Sequence, residues 1–139
     1  MGRRRAHPLF RNEDGQAMVE LAFVLPIMVL LVFGALEVGR VFNAWIIVTQ
    51  ASREGARVAA AQCTIVPTCD TDVDNRIIGS LSGLNSTVAR YTVTNGPYTP
   101  GNPVTVRVEY DVPLVTPLIS AFFPGNPFTV SGETTMRLE

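Results

Sequence analysis

The sequence predicts an α+β protein in which a long N-terminal membrane-spanning helix precedes a small domain built on an antiparallel sheet. The helix is indicated by an uncharged, mostly apolar run of sixteen residues from Leu21 to Leu36. The sheet is indicated by residues 104–112, where apolar and polar side chains alternate as they do in a half-buried strand. Loops rich in glycine, proline and asparagine separate this segment from two further candidate strands.

The membrane span is best placed slightly before the uncharged run. A spanning helix needs about 20 predominantly apolar residues to cross roughly 30 Å of hydrocarbon. A helix from Gln16 to Leu36 contains 21 residues, which corresponds to about 31 Å. The span is therefore predicted at residues 16–36, with Glu20 inside it. A carboxylate in that position is costly unless it is paired, so Glu20 is the first candidate functional residue.

The charges are distributed unevenly along the chain. The first fifteen residues hold four arginines and two acids, a net charge of +2, and the rest holds seven arginines and ten acids, a net charge of −3. A basic segment before an apolar run predicts that the N-terminus is cytoplasmic and that the remainder is exported. A nucleic-acid interface is not expected, because it would need a basic surface on the folded part.

The helix is predicted to continue beyond the membrane to about Gln62. If it is uninterrupted, it has roughly 45 residues and is about 70 Å long, which is unusual for a globular protein and typical of a membrane or filament protein. Glu37 and Arg40 mark the change from the span to the exported part. Their spacing of three residues predicts an ion pair on one helix face.

The exported half of the helix, residues 37–62, has an amphipathic pattern. Its apolar side is expected to comprise Val38, Phe42, Trp45, Thr49, Ala56 and Ala59, with the smaller Ser52 among them and Trp45 where a membrane-interface anchor would lie. Small residues are frequent at residues 51–61, and such a surface allows a sheet or another helix to approach closely.

A small exported domain is predicted at residues 63–139, and it begins with the only two cysteines, Cys63 and Cys69. In an oxidising compartment this pair is expected to form a disulfide. Two buried free thiols are the alternative. A metal site is not expected here, because no further cysteine or histidine in the exported part could be a ligand.

The rest of this domain is expected to contain one helix and three strands. The helix is predicted at residues 70–81, where acidic residues crowd the first turn and apolar residues follow at helical spacing. The strands are predicted at residues 87–94, 104–112 and 128–138. Residues 113–123 are apolar but contain two prolines, so they are expected to form an ordered loop or a short helix.

The start of the chain resembles a known family of secreted filament subunits. Gly15 is followed by Gln16-Ala17-Met18-Val19-Glu20, and this segment resembles a class III prepilin of the Tad (tight adherence, Flp) type IV pilus system. In that family a membrane aspartic protease, the prepilin peptidase, cuts after the glycine and leaves a glutamate as the fifth residue of the mature chain. The resemblance implies a leader at residues 1–15, cleavage between Gly15 and Gln16, and a role for Glu20 in recognition or assembly.

Other segments resemble the TadE-like members of this system. They are Leu25-Pro26, Glu37-Val38-Gly39-Arg40, residues 51–57 and, more loosely, residues 131–139. The major pilins of this system usually carry tyrosine where this chain has Leu21, and they lack a sizeable globular domain. The chain is therefore identified as a TadE-like minor pilin or pseudopilin, not as the bulk filament subunit.

The resemblance also implies partners and a location. The expected partners are other pilins of the same system, the prepilin peptidase, the inner-membrane assembly platform and the lipid bilayer. The expected location is the inner membrane, crossed once with a cytoplasmic N-terminus, with the C-terminal domain exported or, after assembly, extracellular in the pilus. The expected role is in pilus assembly, initiation or adhesion.

The main alternative is an uncleaved single-pass membrane protein whose exported domain binds a surface or a partner. An exposed patch formed by Tyr91, Tyr98 and Tyr110 would favour it. An ordinary secretory signal peptide is not expected, since its apolar core has only about 7–15 residues and ends at a small-x-small cleavage site. The apolar run here is longer, and Glu37 and Arg40 follow it without an obvious Ala-x-Ala site.

No enzyme, cofactor or metal site is predicted. The only histidine lies in the leader, and the sequence has no catalytic triad pattern and no phosphate-binding loop. Asp70, Asp72 and Asp74 have the spacing at which a calcium loop begins, but Asn75 replaces its glycine and Leu81 its final glutamate. These acids are better explained as the acidic first turn of a helix.

Overall fold

A 50-residue helix, α1 (Glu13–Gln62), opens the described part of the chain. The computed structural model describes residues 13–63, 69–95, 98–116 and 127–139. After α1 come α2 (Cys69–Ser80), β1 (Arg90–Asn95), β2 (Pro103–Val112) and β3 (Phe128–Arg137). The predicted α+β fold class is confirmed, because a long apolar helix precedes a small domain with a short helix and a three-stranded antiparallel sheet.

The chain divides into two compact units after Ala35. In the first unit, α1 exposes its side chains on every side from Gly15 to Phe33, as an apolar helix does when its environment is lipid. Within the described ranges α1 is the one helix that is long and apolar enough to cross a membrane. This N-terminal helix marks the chain as a single-pass membrane protein. Helix α1 begins at Glu13, three residues before the expected start, and continues through Pro26.

The second unit, Leu36–Glu139, contains the sheet, with β2 in the centre and β1 and β3 antiparallel on either side. Val106 of β2 lies opposite Val93 of β1 and Thr134 of β3. The apolar residues of β2 alternate along the strand and share one buried face, as the sequence predicts: Val104, Val106, Val108, Tyr110 and Val112. Burial of one such valine stabilises the fold by about 1.5–3 kcal/mol.

The exported half of α1 packs very closely on this sheet. A Cβ atom added at Gly132 of β3 would lie 2.7 Å from the Cα atom of Thr49 and 2.8 Å from the carbonyl oxygen of Val48. The Ser52 and Thr134 hydroxyl oxygens are 2.9 Å apart at the same contact. On α1 itself, a Cβ atom at Gly55 would lie 2.6 Å from Ile77 of α2. The small residues that the sequence places in this stretch therefore allow α1 to approach both neighbours.

The apolar side expected for the exported half of α1 is buried only in its C-terminal part, at Ser52, Ala56 and Ala59. Ala44, Val48 and Ala51 are buried, whereas Val38, Phe42 and Trp45 are among the exposed large apolar residues. At 3.6 residues per turn, the mean direction of Ala44, Val48 and Ala51 lies about 120° around the helix from that of Val38, Phe42 and Trp45. The reason is steric, because a helix backbone in contact with β3 leaves room for small side chains and none for aromatic rings.

Several element boundaries differ from those expected, most by one residue. Strand β1 starts at Arg90 and not at Thr87, since Thr87 donates from its backbone and its hydroxyl to the side chain of Asn85, at 3.1 and 2.7 Å, and so forms a turn. Helix α2 starts and ends one residue earlier than expected. Residues 113–116 have no regular secondary structure, and the rest of the segment expected to be a loop or short helix lies outside the described residues.

Cys63 and Cys69 connect the end of α1 to the start of α2. Their sulfur atoms are 2.03 Å apart in a disulfide, and both residues are buried. The bond closes a short loop, because the two cysteines are only six positions apart.

Replacing both cysteines by serine is expected to lower the free energy of unfolding by about 2 kcal/mol, because the bond restricts the unfolded chain. Urea unfolding of the full chain in detergent measures this, and reduction of the wild-type protein is the matched control. Alkylation of both cysteines in protein isolated without reductant would contradict the prediction.

Candidate functional site

The residues of the predicted cleavage segment lie on the exposed first turns of α1. Gly15, Gln16 and Glu20 are all exposed, and a Cβ atom at Gly15 would meet nothing within 4 Å. The Gln16 side-chain amide donates to the Glu20 carboxylate at 3.2 Å, across one helical turn. Among the described residues, the segment therefore combines an exposed helical glycine with a carboxylate that accepts a hydrogen bond from a neutral amide.

Glu37 is a buried carboxylate in the second unit, with only 5% of its surface exposed. Its Oε1 atom accepts hydrogen bonds from the backbone amides of Val115 and Thr116, at 2.8 and 2.9 Å, and from the Thr116 hydroxyl at 3.1 Å. Its Oε2 atom accepts from Arg40 Nη1 at 3.0 Å. The ion pair that the sequence predicts is therefore one part of a larger site, and α1 is bound through Glu37 to the segment after β2.

The environment of Glu37 favours its ionised form. Burial by itself raises the pKa of this carboxyl group. The backbone amides of Thr116 and Val115, the Thr116 hydroxyl and the Arg40 charge together outweigh burial and hold the pKa below its ordinary value of 4.5. Sequence reasoning did not find Val115 and Thr116, because nothing in the sequence indicates which distant loop supplies donors to a buried acid.

Glu37→Gln is expected to lower the free energy of unfolding at neutral pH by about 2 kcal/mol, because charged hydrogen bonds are replaced by neutral ones. Since the folded pKa is below the unfolded one, the contribution of Glu37 is present above about pH 4.5 and lost as the pH falls below it. The variant should therefore lose less stability than wild type on acidification. Urea unfolding of the full chain between neutral and acidic pH measures both effects.

The matched control for this experiment is Glu133→Gln. Glu133 is exposed and 3.9 Å from Arg107, so its pairing is worth at most about 1 kcal/mol. If Glu37→Gln changed stability and its pH dependence no more than Glu133→Gln, the Glu37 site would not stabilise the fold.

The three tyrosines named in the alternative function do not form an exposed patch. Tyr110 is buried, and Tyr91 and Tyr98 are half-buried. The Tyr98 hydroxyl donates to Asp70, and burial and a hydrogen bond with Asp74 raise the pKa of Tyr91. The tyrosine and aspartate side chains thus connect α2 to the sheet side of the domain, which removes the support that a tyrosine surface would give to the binding alternative.

The described residues offer no group of three histidine, cysteine or acidic side chains placed to hold a metal ion. One open cleft of about 210 Å³ lies beside Arg40 and Asn43 of α1, with Leu84, Tyr110 and Val112 among its other lining residues. This volume is below the roughly 300–1,000 Å³ of sites that enclose small-molecule ligands.

The outer face of the sheet carries charged pairs between neighbouring strands. Arg90 of β1 donates to both carboxylate oxygens of Asp111 on β2, at 2.8 and 3.0 Å, and Thr129 of β3 donates to the same carboxylate at 2.6 Å. The Arg90 and Thr129 hydrogen bonds lower the pKa of Asp111. These hydrogen bonds and the ion pair connect the three strands at one end of the sheet.

Comparison with known proteins agrees with the resemblance indicated by the sequence. Residues 15–57 match the family model described as TadE-like protein. The match begins at Gly15, includes Glu20, Glu37 and Arg40, and ends within α1, so the resemblance is confirmed for these residues and the sheet lies outside it. No curated protein and no solved structure matches the chain significantly. The match supports association with a Tad-type pilus.

Proposed function

We propose that this chain is a minor pilin or pseudopilin of a Tad-type type IV pilus. Prepilin peptidase cuts it between Gly15 and Gln16, and the mature chain then joins other pilins at the inner-membrane assembly platform. The observation that carries this proposal is the TadE-like match, which starts at Gly15, directly before the predicted membrane span. TadE-like proteins are pilus components and are not known as enzymes.

The local structure of the cleavage segment is compatible with proteolysis. A protease needs an extended substrate, so the helix must open around the peptide bond after Gly15. This bond is within one turn of the start of α1, where helices fray. Glycine also lowers helix stability by about 1 kcal/mol relative to alanine. Both properties make local opening easy at this position.

Cleavage changes the charges around Glu20. In the precursor, the side chain of Gln16 donates a neutral hydrogen bond to Glu20. After the cut, the backbone nitrogen of Gln16 becomes an ammonium group, a cation that the precursor lacks. In a filament of parallel subunits we expect this ammonium to pair with Glu20 of the adjacent subunit. This ion pair offsets the free-energy cost of placing a carboxylate in the apolar layer of the membrane. It also selects the register in which neighbouring subunits pack.

The second unit supplies the exported part of the subunit. Its charged outer sheet face and its polar α2 surface suit an aqueous compartment, and its disulfide suits an oxidising one. We expect the N-terminus to be cytoplasmic, because the leader is basic. In the pilus, the domain initiates the filament, stabilises it, forms its tip or takes part in adhesion.

The direct test of processing is Gly15→Leu, expressed with the prepilin peptidase of the same system. Wild type is expected to run as a band shortened by the leader, and Gly15→Leu as the full-length precursor, because a branched side chain does not fit a site made for glycine. Gly2→Leu is the matched control, since it alters the leader far from the cleavage bond and should be processed normally. A wild-type chain that begins at Met1 or after residue 36 would contradict the proposal.

A further inference from the structure

The segment that follows β2 is bound to α1 directly beside the end of the predicted membrane span. Glu37 is the residue after Leu36, where the span is expected to end. Its carboxylate accepts hydrogen bonds from the backbone amides of Val115 and Thr116, at 2.8 and 2.9 Å. The depth of Val115 relative to the membrane therefore differs from that of Glu37 by no more than one side chain and one hydrogen bond.

The course of the chain after β2 agrees with this placement. Gly132, which pairs with Val108 of β2, packs against Thr49 of α1. Thr49 is twelve residues beyond Glu37 along the helix, which corresponds to about 18 Å. The seven residues from Val108 to Val115 reach at most about 23–25 Å when they are extended, so they cover this distance. Strand β2 and the segment after it therefore run along α1 toward the span.

Three large apolar side chains at the level of Glu37 are exposed. They are Leu36, Val38 and Val115, at 59%, 69% and 67%. Leu36 and Val38 lie about 200° apart around α1, so a single partner helix could not contact both, whereas a surrounding bilayer does. Single exposed apolar residues are normal on a protein surface. These three differ because they lie where the hydrocarbon ends, and removing their apolar surface from water is favourable.

The segment after β2 is chemically suited to a membrane interface. The sequence contains no aspartate, glutamate, lysine or arginine between Asp111 and Glu133. Backbone N–H groups are costly in contact with lipid unless they are hydrogen-bonded. The amides of Val115 and Thr116 already donate to Glu37. The carboxylate therefore satisfies two donors that would otherwise oppose contact with acyl chains.

Arg40 provides a cation at the depth of the lipid headgroups. It lies four residues beyond Leu36, about 6 Å along α1, and the headgroup layer is about 5–7 Å thick on each side of the hydrocarbon. Arg40 and Pro113 line the same open cleft, so the cation adjoins the segment after β2. Arg40 Nη1 pairs with Glu37 at 3.0 Å, and the side chain is partly exposed. A guanidinium has five donors, which leaves others for a lipid phosphate.

We propose that residues 113–116 form a second membrane contact, held by Glu37 in the interface of the bilayer that α1 spans. Val115 contacts the boundary between headgroups and acyl chains, and Arg40 contacts headgroup phosphates. Glu37 is a positioning residue, because it acts through the backbone amides that it binds. The contact goes beyond the proposed function, since it requires neither leader cleavage nor any other pilus protein. Its consequence is a domain attached to the membrane at two places.

Spin labels on single added cysteines test this contact in the full chain, reconstituted in vesicles of phosphatidylethanolamine and phosphatidylglycerol. The native cysteines are joined to each other, so Val115→Cys adds one reactive thiol. Collisions of the label with oxygen, which concentrates in lipid, and with a nickel chelate, which stays in water, report its surroundings. We expect a several-fold higher ratio of oxygen to nickel collisions for Val115→Cys than for the matched control, Ile78→Cys.

The control has the same exposed, β-branched side chain type at a position far from the span. Ile78 of α2 is exposed. Its neighbour Ile77 packs at Gly55, which is eighteen residues beyond Glu37 and therefore about 27 Å farther along α1. A label on Leu36→Cys marks the end of the span and is expected to show the lipid ratio.

The role of Glu37 is tested by adding Glu37→Ala to Val115→Cys. The ratio at position 115 is expected to fall toward that of Ile78→Cys, whereas the ratio of a Leu36→Cys label is expected to stay unchanged by Glu37→Ala. An unchanged ratio at position 115 would overturn the positioning role. Near-UV circular dichroism of each variant shows whether the domain is folded.

Three results with the single variants would overturn the membrane contact. A Val115→Cys label that collides with nickel as often as the Ile78→Cys label lies in water. A label shielded from both reagents is covered by protein and not by lipid. A Leu36→Cys label in water would remove the span end from which the depth of Val115 is inferred. All of these measurements use the uncleaved chain, so their outcome is independent of the proposed function.

Discussion

Glu20→Gln is expected to abolish pilus assembly while membrane insertion and leader cleavage continue. Glutamine keeps the size of the side chain and its hydrogen bonding, so the span and the exposed segment around Gly15 are preserved. It removes the negative charge with which the new ammonium of Gln16 pairs in the neighbouring subunit. Removing one partner of a buried ion pair typically costs about 3–5 kcal/mol. This loss of free energy recurs at every contact between subunits, so it is enough to prevent assembly.

The measurements are the pilus count by electron microscopy and the recovery of pilin partners after affinity purification. Glu13→Gln is the matched control, because Glu13 is also on the first turns of α1 but is removed with the leader. That variant should assemble normally. Normal piliation and partner recovery in a fully processed Glu20→Gln strain would exclude an assembly role for Glu20.

Gly132→Ala is expected to cause the largest loss of domain stability, about 3 kcal/mol. The added Cβ atom would lie 2.7–2.8 Å from three backbone atoms of Val48 and Thr49. Backbone atoms of a packed helix cannot turn aside as the end of a flexible side chain can. Strand β3 must therefore move away from α1, at the cost of overpacking strain and of the contact between Ser52 and Thr134.

Gly79→Ala is the matched control for this effect. Gly79 lies in α2, and nothing is within 4 Å of its Cβ position. The same substitution there should raise the free energy of unfolding by about 0.4–1 kcal/mol, since alanine is the better helix former. Urea unfolding of both full-length variants in detergent gives the comparison. If Gly132→Ala were as stable as wild type, the close contact between α1 and β3 would be absent.

The fold class follows from the sequence because its strongest signals are periodic. The apolar run produces α1, and the alternation around Val106 produces β2 with its buried face. The rotation of α1 could not be predicted. Aromatic and small residues both repeat at helical spacing, and which set faces the core depends on the Gly132 contact, more than 80 residues away in the sequence from Thr49.

The candidate site was predictable to different degrees. Gly15, Gln16 and Glu20 form a local motif whose spacing is visible in the sequence, and the TadE-like match contains all three. The pairing of Glu37 with Arg40 is also local. The hydrogen bonds from Val115 and Thr116 to Glu37 are not, because they join positions 78 and 79 residues apart. No periodic pattern marks a loop whose backbone amides bind a buried carboxylate.

The central claim, that the chain is a processed pilin, is tested most directly by the intact mass of the protein isolated from its own membranes without reductant. We predict a mass that lacks residues 1–15 and also lacks the two hydrogens that are lost when Cys63 and Cys69 form the disulfide. N-methylation of Gln16 would add one methyl group to that mass. The mass of a chain that still begins at Met1, or of one that begins after residue 36, would contradict this claim.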